Sequence, residues 1–282
     1  MITKIEKKRS NHLDLQKAKN KQLSIQFSLD GFSFCITDLD LLQFVAYNSY
    51  RFEDKKKDPE VLLKNIKAIF RGESILQEKF EKVVVIHVNN LSTFVPKALF
   101  DENNIANYIK FNNKIFDSDY FTYDTIKNHD MLSVYVPYVN VNNFLIDQFG
   151  TFDYRHYATV LVEKLLNEYV VSNKLKFFVH IANTHFEIIV TKNKKLILYN
   201  TFGYNTKEDF IYYILFVIEQ LKLDVEELSL VLLGIIDNES ALYKIAYKYI
   251  RNVSLLKDKS KINAILEINE TIKRENFTLF NS

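Results

Sequence analysis

The sequence predicts an α/β protein made of two successive β-β-β-α-β units. Alternating apolar and polar residues at 23–29 and 32–37 are typical of a hairpin, and a third strand, a helix and a buried strand follow. The same series begins again near residue 177. An offset of 152 superposes the two series, so that Tyr47-Asn48-Ser49-Tyr50 coincides with Tyr199-Asn200-Thr201-Phe202. We therefore interpret the chain as an internal duplication.

The first unit opens with the strands Leu23–Leu29 and Phe32–Thr37, which Asp30-Gly31 joins. An Asp-Gly pair between alternating strands is a strong signal for a two-residue type I′ turn. A third strand is expected at about Leu42–Tyr50. A helix should begin with Asp58 as N-cap and end at Gly72. The apolar run Val83–Val88 then predicts a strand that is buried on both faces.

The second unit repeats this order. Its three strands are expected at Phe177–Ile181, Phe186–Val190 and Leu196–Asn200. Thr206 and Asp209 have the spacing of a capping box, which predicts a helix as far as about Leu221. Leu228–Leu233 predicts the buried strand. The remaining expected elements are a strand at Leu132–Val136, helices at Val141–Phe149 and Tyr154–Val171, a helix capped by Ser240 with Ala241, Leu242, Ile245, Ala246 and Tyr249 inward, a strand at Asn252–Leu256 and a helix at Lys261–Lys273.

Three meandering strands that lead into a crossover, twice over, are the layout of the actin-like (ribonuclease H-like) two-lobed fold. We expect a basic, partly disordered leader at residues 1–22. The first lobe should occupy residues 23–174 and the second lobe residues 175–282.

Composition excludes several classes of function. The 282 residues include only 5 glycines and 3 prolines, which is far below average and excludes collagen-like or linker-rich chains. No Walker-type phosphate loop and no G-x-G-x-x-G motif is present. Apolar residues make up 48% of the chain and charged residues 26%, as in ordinary globular proteins.

Charge and cysteine content bear on compartment and partners. Seven basic and two acidic side chains give residues 1–22 a charge of +5, so the other 260 residues carry −3. This distribution lacks the basic stripe of a nucleic-acid binder, and contact with RNA or acidic lipid is an alternative for the leader alone.

Cys35 lies in an apolar strand and is expected in the core. With one cysteine, no secretory signal and no apolar run longer than the nine residues Phe210–Ile218, the chain is predicted to be cytoplasmic.

An actin-type ATPase would grip phosphates with the two hairpin turns, which requires glycine and small hydroxyl residues, and carboxylates for Mg²⁺. The first turn offers Asp30 and Gly31, but Phe32 follows, and a tight turn explains the Asp-Gly pair more simply. The second turn, 181–185, has neither glycine nor carboxylate. Gly234 and Asp237 would lie on the adenine side of such a site, although Asp237 also suits a helix start.

Metal and nuclease chemistry are also weak alternatives. His180, His185 and Glu187 share one face of the second hairpin and could bind Zn²⁺, but a hydrogen-bonded polar patch is the favoured interpretation, so no metal is predicted. A ribonuclease H-like nuclease needs a carboxylate within its first strand, and 23–29 has none. No G-x-S-x-G nucleophile motif occurs.

Three segments resemble a known family. They are LSIQFSLDGFSF at 23–34, LYNTFGYNTKEDFIYYILFVIEQL at 198–221 and SALY at 240–243. They resemble the uncharacterised bacterial family called domain of unknown function 3822, which occurs mainly in Bacteroidetes. The resemblance covers about residues 22–256 and implies an actin-like ATPase fold. It supplies no catalytic residues, because none are established for the family.

The favoured hypothesis is a protein-binding or scaffold component with degenerate nucleotide loops, without catalysis and without a cofactor. The alternative is a divergent ATP- and Mg²⁺-binding ATPase or kinase-like enzyme that uses Asp30, Gly31, Gly234 and Asp237. Phe210–Ile218 is apolar all round and is expected to be buried; if it is partly uncovered, it is a candidate dimer or partner surface.

Overall fold

The structure is a computed structural model. It describes residues 1–9, 20–54, 56, 58–111, 114–116, 119–170, 174–257, 259, 263–264 and 268–282. These residues form two compact units. The first contains Met1–Val160, the described residues of 260–268 and Thr278–Ser282, and the second contains Leu161–Lys259 and Asn269–Phe277. The two units meet at 160/161, whereas the predicted boundary was at 174/175, and Thr278–Ser282 belong to the first unit rather than to the second.

The strands, in chain order, are β1 (Ile2–Arg9), β2 (Lys21–Ser28), β3 (Gly31–Asp38), β4 (Gln43–Phe52), β5 (Lys82–His87), β6 (Ser92–Pro96), β7 (Thr122–Thr125), β8 (Met131–Tyr135), β9 (Asp153–His156), β10 (Lys176–Ile181), β11 (His185–Lys192), β12 (Lys195–Gly203), β13 (Ser229–Gly234), β14 (Asn252–Leu255) and β15 (Asn263–Ala264). The α-helices are α1 (Pro59–Gly72), α2 (Ile105–Lys110), α3 (Val139–Phe149), α4 (Tyr157–Lys164), α5 (Lys207–Gln220), α6 (Ala241–Tyr249), α7 (Glu270–Glu275) and α8 (Phe277–Phe280). Short 3₁₀ turns lie at Ser74–Gln77, Lys97–Leu99 and Glu102–Asn104, and a π turn at Leu165–Tyr169 extends α4.

The first unit is built on a sheet with the order β1-β4-β3-β2-β5-β9, to which β15 adds beside β4. Neighbouring strands run antiparallel along the part β1-β4-β3-β2 of this order, whereas β2, β5 and β9 run parallel to one another. One face packs against α1 and α3, where the Phe70 ring meets Phe144 and Phe149. A separate sheet, β6-β8-β7, packs with α2 around a small core of its own.

The second unit is built on a sheet with the order β12-β11-β10-β13-β14. Its strand directions match those from β4 to β9: antiparallel from β12 to β10, then parallel through β13 and β14. The helices α5 and α6 pack on one face, with Phe210 and Ile214 at the centre of the contact. The two units therefore share the predicted β-β-β-α-β order.

The register between the units departs from the predicted constant offset. Phe27 lies opposite Phe32, and Ile181 lies opposite Phe186, so the two hairpins superpose at an offset of 154. β4 and β12 have a bulge at the equivalent position, where Val45 is the extra residue opposite Ile36 and Thr37, and Ile197 is the extra residue opposite Val190 and Thr191. The offset of 152 is correct only for the third strand, because the turn after β11 is two residues shorter than the turn after β3. The offset falls to 148 at the helix caps Asp58 and Thr206, and to 147 between the buried strands β5 and β13.

The predicted type I′ turn at Asp30-Gly31 is wrong by one residue. Ser28 pairs with Gly31, so the two turn residues are 29 and 30, and neither Asp30 nor Gly31 has a positive φ. Gly31 is needed for space instead, because a Cβ there would lie 2.6 Å from the Tyr50 carbonyl oxygen on the neighbouring strand. Two consecutive positive-φ residues, which a type I′ turn requires, occur at Asn193 and Lys194 between β11 and β12.

Several predicted boundaries also change. Residues 2–9 were expected in a partly disordered leader, but they form β1 by pairing with the edge of β4; residues 10–19 lie outside the described residues. The helix predicted from Tyr154 begins at Tyr157, because β9 pairs with β5 first. The closing helix begins at Glu270 rather than Lys261. In α6, Ala241 and Tyr249 are exposed rather than inward.

The C-terminal residues cover the second face of the first sheet. The Phe280 ring packs on Phe44 and Tyr47, at centroid distances of 4.9 and 5.2 Å. The Ser282 hydroxyl contacts the Ser24 hydroxyl. Cys35 is buried beneath this segment, as predicted for a core residue, and burial raises the pKa of its thiol to about 12. The end of the chain therefore completes the core of the first unit.

Gly234 marks the closest approach between β10 and β13. Its φ is +90°, and a Cβ there would lie 2.2 Å from the Ile181 carbonyl oxygen. Gly234→Ala should therefore lower the free energy of unfolding by at least about 2 kcal/mol, as measured by denaturant titration. Gly72→Ala is the matched control: nothing lies within 4 Å of a Cβ there, so stability should hold or rise slightly. Equal effects of the two substitutions would contradict the packing role of Gly234.

Candidate functional site

The first hairpin turn is closed by hydrogen bonds of its own. The Asp30 N–H donates to the Ser28 hydroxyl oxygen at 3.1 Å, and the Asp30 carbonyl accepts from the Phe52 N–H at 2.8 Å. Phe32 is buried directly after the turn. The N–H and the carbonyl of Asp30 are therefore hydrogen-bonded within the turn and to the end of β4. Gly31 beside it packs closely against the Tyr50 carbonyl.

Next to this turn, at the end of β5, lies a buried histidine. His87 Nδ1 accepts from the Tyr138 N–H at 3.1 Å, which leaves Nε2–H to donate to Asn142 Oδ1 at 3.0 Å. Burial lowers the pKa of His87 to about 3, so the imidazole is neutral. Burial also raises the pKa of Tyr138, and the negative charge of Asp30 adds to this effect. His87 thus connects β5 to α3 as a satisfied core residue.

A second polar cluster in the first unit was not predicted from the sequence. The Asp124 carboxylate accepts from the His156 N–H at 2.8 Å, the Thr159 hydroxyl at 2.7 Å and the Tyr135 hydroxyl at 3.1 Å. Burial raises the pKa of Asp124, and these hydrogen bonds oppose the rise. Since His156 and Thr159 flank the start of α4, Asp124 caps this helix from another sheet. No local sequence pattern indicates this cap, because His156 and Thr159 lie 32 and 35 residues away from Asp124.

The second hairpin brings together the three residues that were considered for a metal site. His180 lies directly opposite Glu187 across the two strands. His180 Nδ1 is 2.7 Å from Glu187 Oε2, and His185 Nε2 is 3.2 Å from Glu187 Oε1. The Glu187 side chain is completely buried, whereas those of His180 and His185 remain 12% and 33% exposed. Each carboxylate oxygen therefore faces one imidazole.

Two opposing effects set the ionisation of Glu187. Burial on its own raises the pKa, but the hydrogen bonds and charges of His180 and His185 outweigh it and lower the pKa to about 2. Within the described residues, no group of three or more His, Cys, Asp or Glu side chains is arranged to hold a metal ion. The ring nitrogens nearest Glu187 are occupied by the carboxylate, so the geometry is that of a hydrogen-bonded triad.

The backbone of the second turn is also closed. The Ala182 N–H donates to the His185 carbonyl at 2.9 Å, and the Ala182 carbonyl accepts from the Tyr204 hydroxyl at 2.8 Å. At the offset of 154, His180 and Glu187 correspond to Gln26 and Ser33, which also lie opposite each other. The ionisable pair thus belongs to the second hairpin alone.

The other two nucleotide candidates lie at the end of β13, which is Gly234, and in the loop after it, which contains Asp237. The Asp237 side chain accepts from the Glu239 N–H at 2.8 Å, and its carbonyl accepts from the Ser240 hydroxyl at 2.9 Å. Ser240 in turn accepts from the Tyr243 N–H, which starts α6. The buried guanidinium of Arg274 donates to the Ile236 carbonyl at 3.3 Å. Asp237 therefore initiates a helix, on a loop that Arg274 anchors.

Asp30 and Gly31 lie at the first hairpin of the first unit, whereas Gly234 ends β13 and Asp237 follows it in the second unit. Each has a packing or capping partner within its own unit. Arg274, like Asp124, was not singled out from the sequence, because its partner is a carbonyl far away in the chain.

Replacement of Glu187 tests the triad through pH. Its pKa is about 2 in the fold and about 4.3 in an unfolded chain, so its ionised form stabilises the fold above pH 5, and this contribution disappears as the pH falls toward 2. We expect denaturant titrations to show a steeper loss of stability over this range in the wild type than in Glu187→Gln. The exposed Glu208→Gln is the matched control and should follow the wild type. The same slope in Glu187→Gln would contradict the assignment.

Comparison with solved structures identifies the fold. A protein from Bacteroides thetaiotaomicron with an actin-like ATPase fold and unknown function is 23% identical, with a TM-score of 0.76 over 86% of this chain and 93% of that one. A PilM-PilN type IV pilus biogenesis complex is 10% identical, with a TM-score of 0.57 over 92% of this chain and 96% of that one. The comparison with curated proteins gives no match. The chain therefore has the predicted actin-like fold.

Two further findings concern the chain as a whole. None of the described helices combines the length and the apolar character that crossing a bilayer requires. The profile of the family described as "Protein of unknown function (DUF3822)" matches residues 10–253, which is most of the chain and confirms the resemblance seen in its sequence. The chain belongs to the DUF3822 family.

Proposed function

We propose that this protein binds another protein through an actin-like scaffold whose hairpin turns no longer hold a nucleotide. The observation that carries the proposal is the second hairpin, where the buried carboxylate of Glu187 is occupied by His180 and His185. That turn has no glycine, and its Ala182 N–H is bonded to the His185 carbonyl.

A phosphate site needs main-chain N–H groups that point at the ligand and a backbone that approaches it closely. In the first hairpin, the Asp30 N–H is bonded to Ser28, and the missing side chain of Gly31 makes room for Tyr50 rather than for a ligand. In the second hairpin, a phosphate would have to displace the hydrogen bonds that join His180 and His185 to the buried Glu187 carboxylate. Both arrangements disfavour phosphate binding.

The hairpin strands also offer poor ligands for Mg²⁺. It prefers carboxylate oxygens and usually keeps several of its waters. On the face of β2 and β3 that corresponds to the His180–Glu187 pair, the first unit carries Gln26 and Ser33, which have no charge. The Glu187 carboxylate accepts from both imidazoles and would have to release them to bind the ion.

Partner binding is compatible with this fold. The PilM-PilN complex is a solved assembly of two different proteins, and one of its chains shares the fold at a TM-score of 0.57. Because fold alone does not determine function, this likeness supports only the feasibility of the proposal. The matching strand order and bulges of the two units support an origin by duplication, after which each unit could acquire a different surface.

Isothermal titration with ATP and Mg²⁺ tests the proposal. We expect no saturable binding in the micromolar range and no shift of Tm, for the wild type and for Asp30→Ala alike. Micromolar binding that Asp30→Ala removes would overturn the proposal in favour of a divergent ATPase or kinase-like enzyme. Micromolar binding that Asp30→Ala leaves intact would also overturn it and would move the nucleotide site away from the first hairpin.

A further inference from the structure

The third strand of each unit has a different neighbour. In the first unit, β4 is covered along its outer edge by β1, which runs antiparallel to it from Phe52 to Ala46. In the second unit, β12 is the last strand of its sheet, and no described strand pairs with its outer edge. β12 has nine residues, and its third residue, Ile197, is 51% exposed. A long, open edge is a ready template for another strand.

The open edge continues into an aromatic surface. Phe202 on β12 stacks on Tyr213 of α5, with ring centroids 4.9 Å apart. Tyr213 contacts Tyr212 at 5.3 Å, and Tyr212 stacks on Phe216 at 6.4 Å. Tyr212 is 61% exposed and Phe216 is 43% exposed. An added strand would therefore find aromatic rings beside the backbone groups of β12. We name this combined surface, formed by β12 with Tyr212, Tyr213 and Phe216, the β12 surface.

The equivalent helix of the first unit shows that the aromatic surface is not imposed by the fold. When the N-caps Asp58 and Thr206 are superposed, the exposed Lys64 of α1 corresponds to Tyr212 and the exposed Ala68 to Phe216. The buried faces of α1 and α5 are alike, because Leu62 and Phe210 at equivalent positions both lie in the core. The unit with a covered edge thus has an ordinary outer helix face, whereas the unit with an open edge has an aromatic one.

Charge indicates which strand would fit. The basic end of β1, which includes Lys7 and Lys8, runs toward the start of β4, whose preceding turn carries the exposed Asp40 after the buried Asp38 at the end of β3. The equivalent turn before β12 carries the exposed side chains of Lys192, Lys194 and Lys195. Within the described residues, none of these three lysines has a carboxylate partner. A strand that completes the second sheet should therefore have the opposite charge pattern to β1.

We propose that the β12 surface binds an extended segment of another protein, antiparallel to β12, by adding a strand to the sheet. The segment has apolar residues that contact Phe202 and the α5 rings, and carboxylates near its C-terminal end that meet Lys192 and Lys195. Main-chain hydrogen bonds give the affinity, and the rings and lysines give the specificity. This inference rests on the proposed function and names the chemistry of its partner.

Two synthetic peptides test the inference. One has the sequence of β1, ITKIEKKR, and the other has the same sequence with K7E, K8E and R9E. Fluorescence anisotropy with the full chain should show that the acidic peptide binds at least about tenfold more tightly than the basic one, and that added salt weakens the binding. The double variant K192E/K195E should reverse this preference. K64E/K110E, which changes two exposed lysines of the first unit, should leave it unchanged.

The aromatic part of the surface is tested separately. The double variant Y212K/F216A introduces the residue types found at the equivalent positions of α1. It should lower the affinity for the acidic peptide at least about tenfold. Y247K replaces an exposed tyrosine on α6 and should have no effect. Equal binding of both peptides, or no binding of either, would overturn the inference. So would a dimer of the chain that Y212K/F216A dissociates, because a second copy would then cover the edge. None of these outcomes depends on the ATP titration, so the proposed function can stand if this inference fails.

Discussion

The structure depends on how the first strand of each hairpin is held at the middle of its sheet. β2 and β10 each pair with an antiparallel strand on one side and a buried parallel strand on the other. This arrangement brings Ile181 so close to Gly234 that no Cβ fits between them. It also fixes the register of each hairpin, and with it the side chains that face each other at the turns.

The two units use this common frame for different chemistry. The facing pair is neutral in the first unit, as Gln26 and Ser33, and ionisable in the second, as His180 and Glu187. The outer edge is covered by β1 in the first unit and open at β12 in the second. Both cores consist of aliphatic and aromatic side chains, so the two units differ mainly at these polar and surface positions, and function is inferred from them.

Elements with strong local signals could be predicted from the sequence. Asp58, Thr206 and Ser240 all cap their helices as expected, since each depends only on neighbours within a few residues. β1 was missed because its charged residues suggest a solvated tail, whereas backbone pairing with β4 stabilises it. The turn at Asp30 was misplaced by one residue because cross-strand packing against Tyr50, rather than turn preference, decides where the glycine lies.

The candidate site, like the fold, could be predicted only in part. Strand alternation placed His180, His185 and Glu187 on one face, which the structure confirms. Alternation does not report depth, so the complete burial of Glu187 and the resulting fall of its pKa could not be predicted. The role of Asp124 could not be predicted from the sequence, because the helix that it caps starts more than 30 residues further along the chain.

Hydrogen–deuterium exchange of the hairpin turns tests the central claim most directly. The claim is that the amides at 28–33 and 181–187 serve the fold and are not available to phosphate. Exchange measured with and without ATP and Mg²⁺ should therefore be the same in both segments. Protection of either segment by the nucleotide would contradict the account, because it would show that a turn amide has gained a ligand.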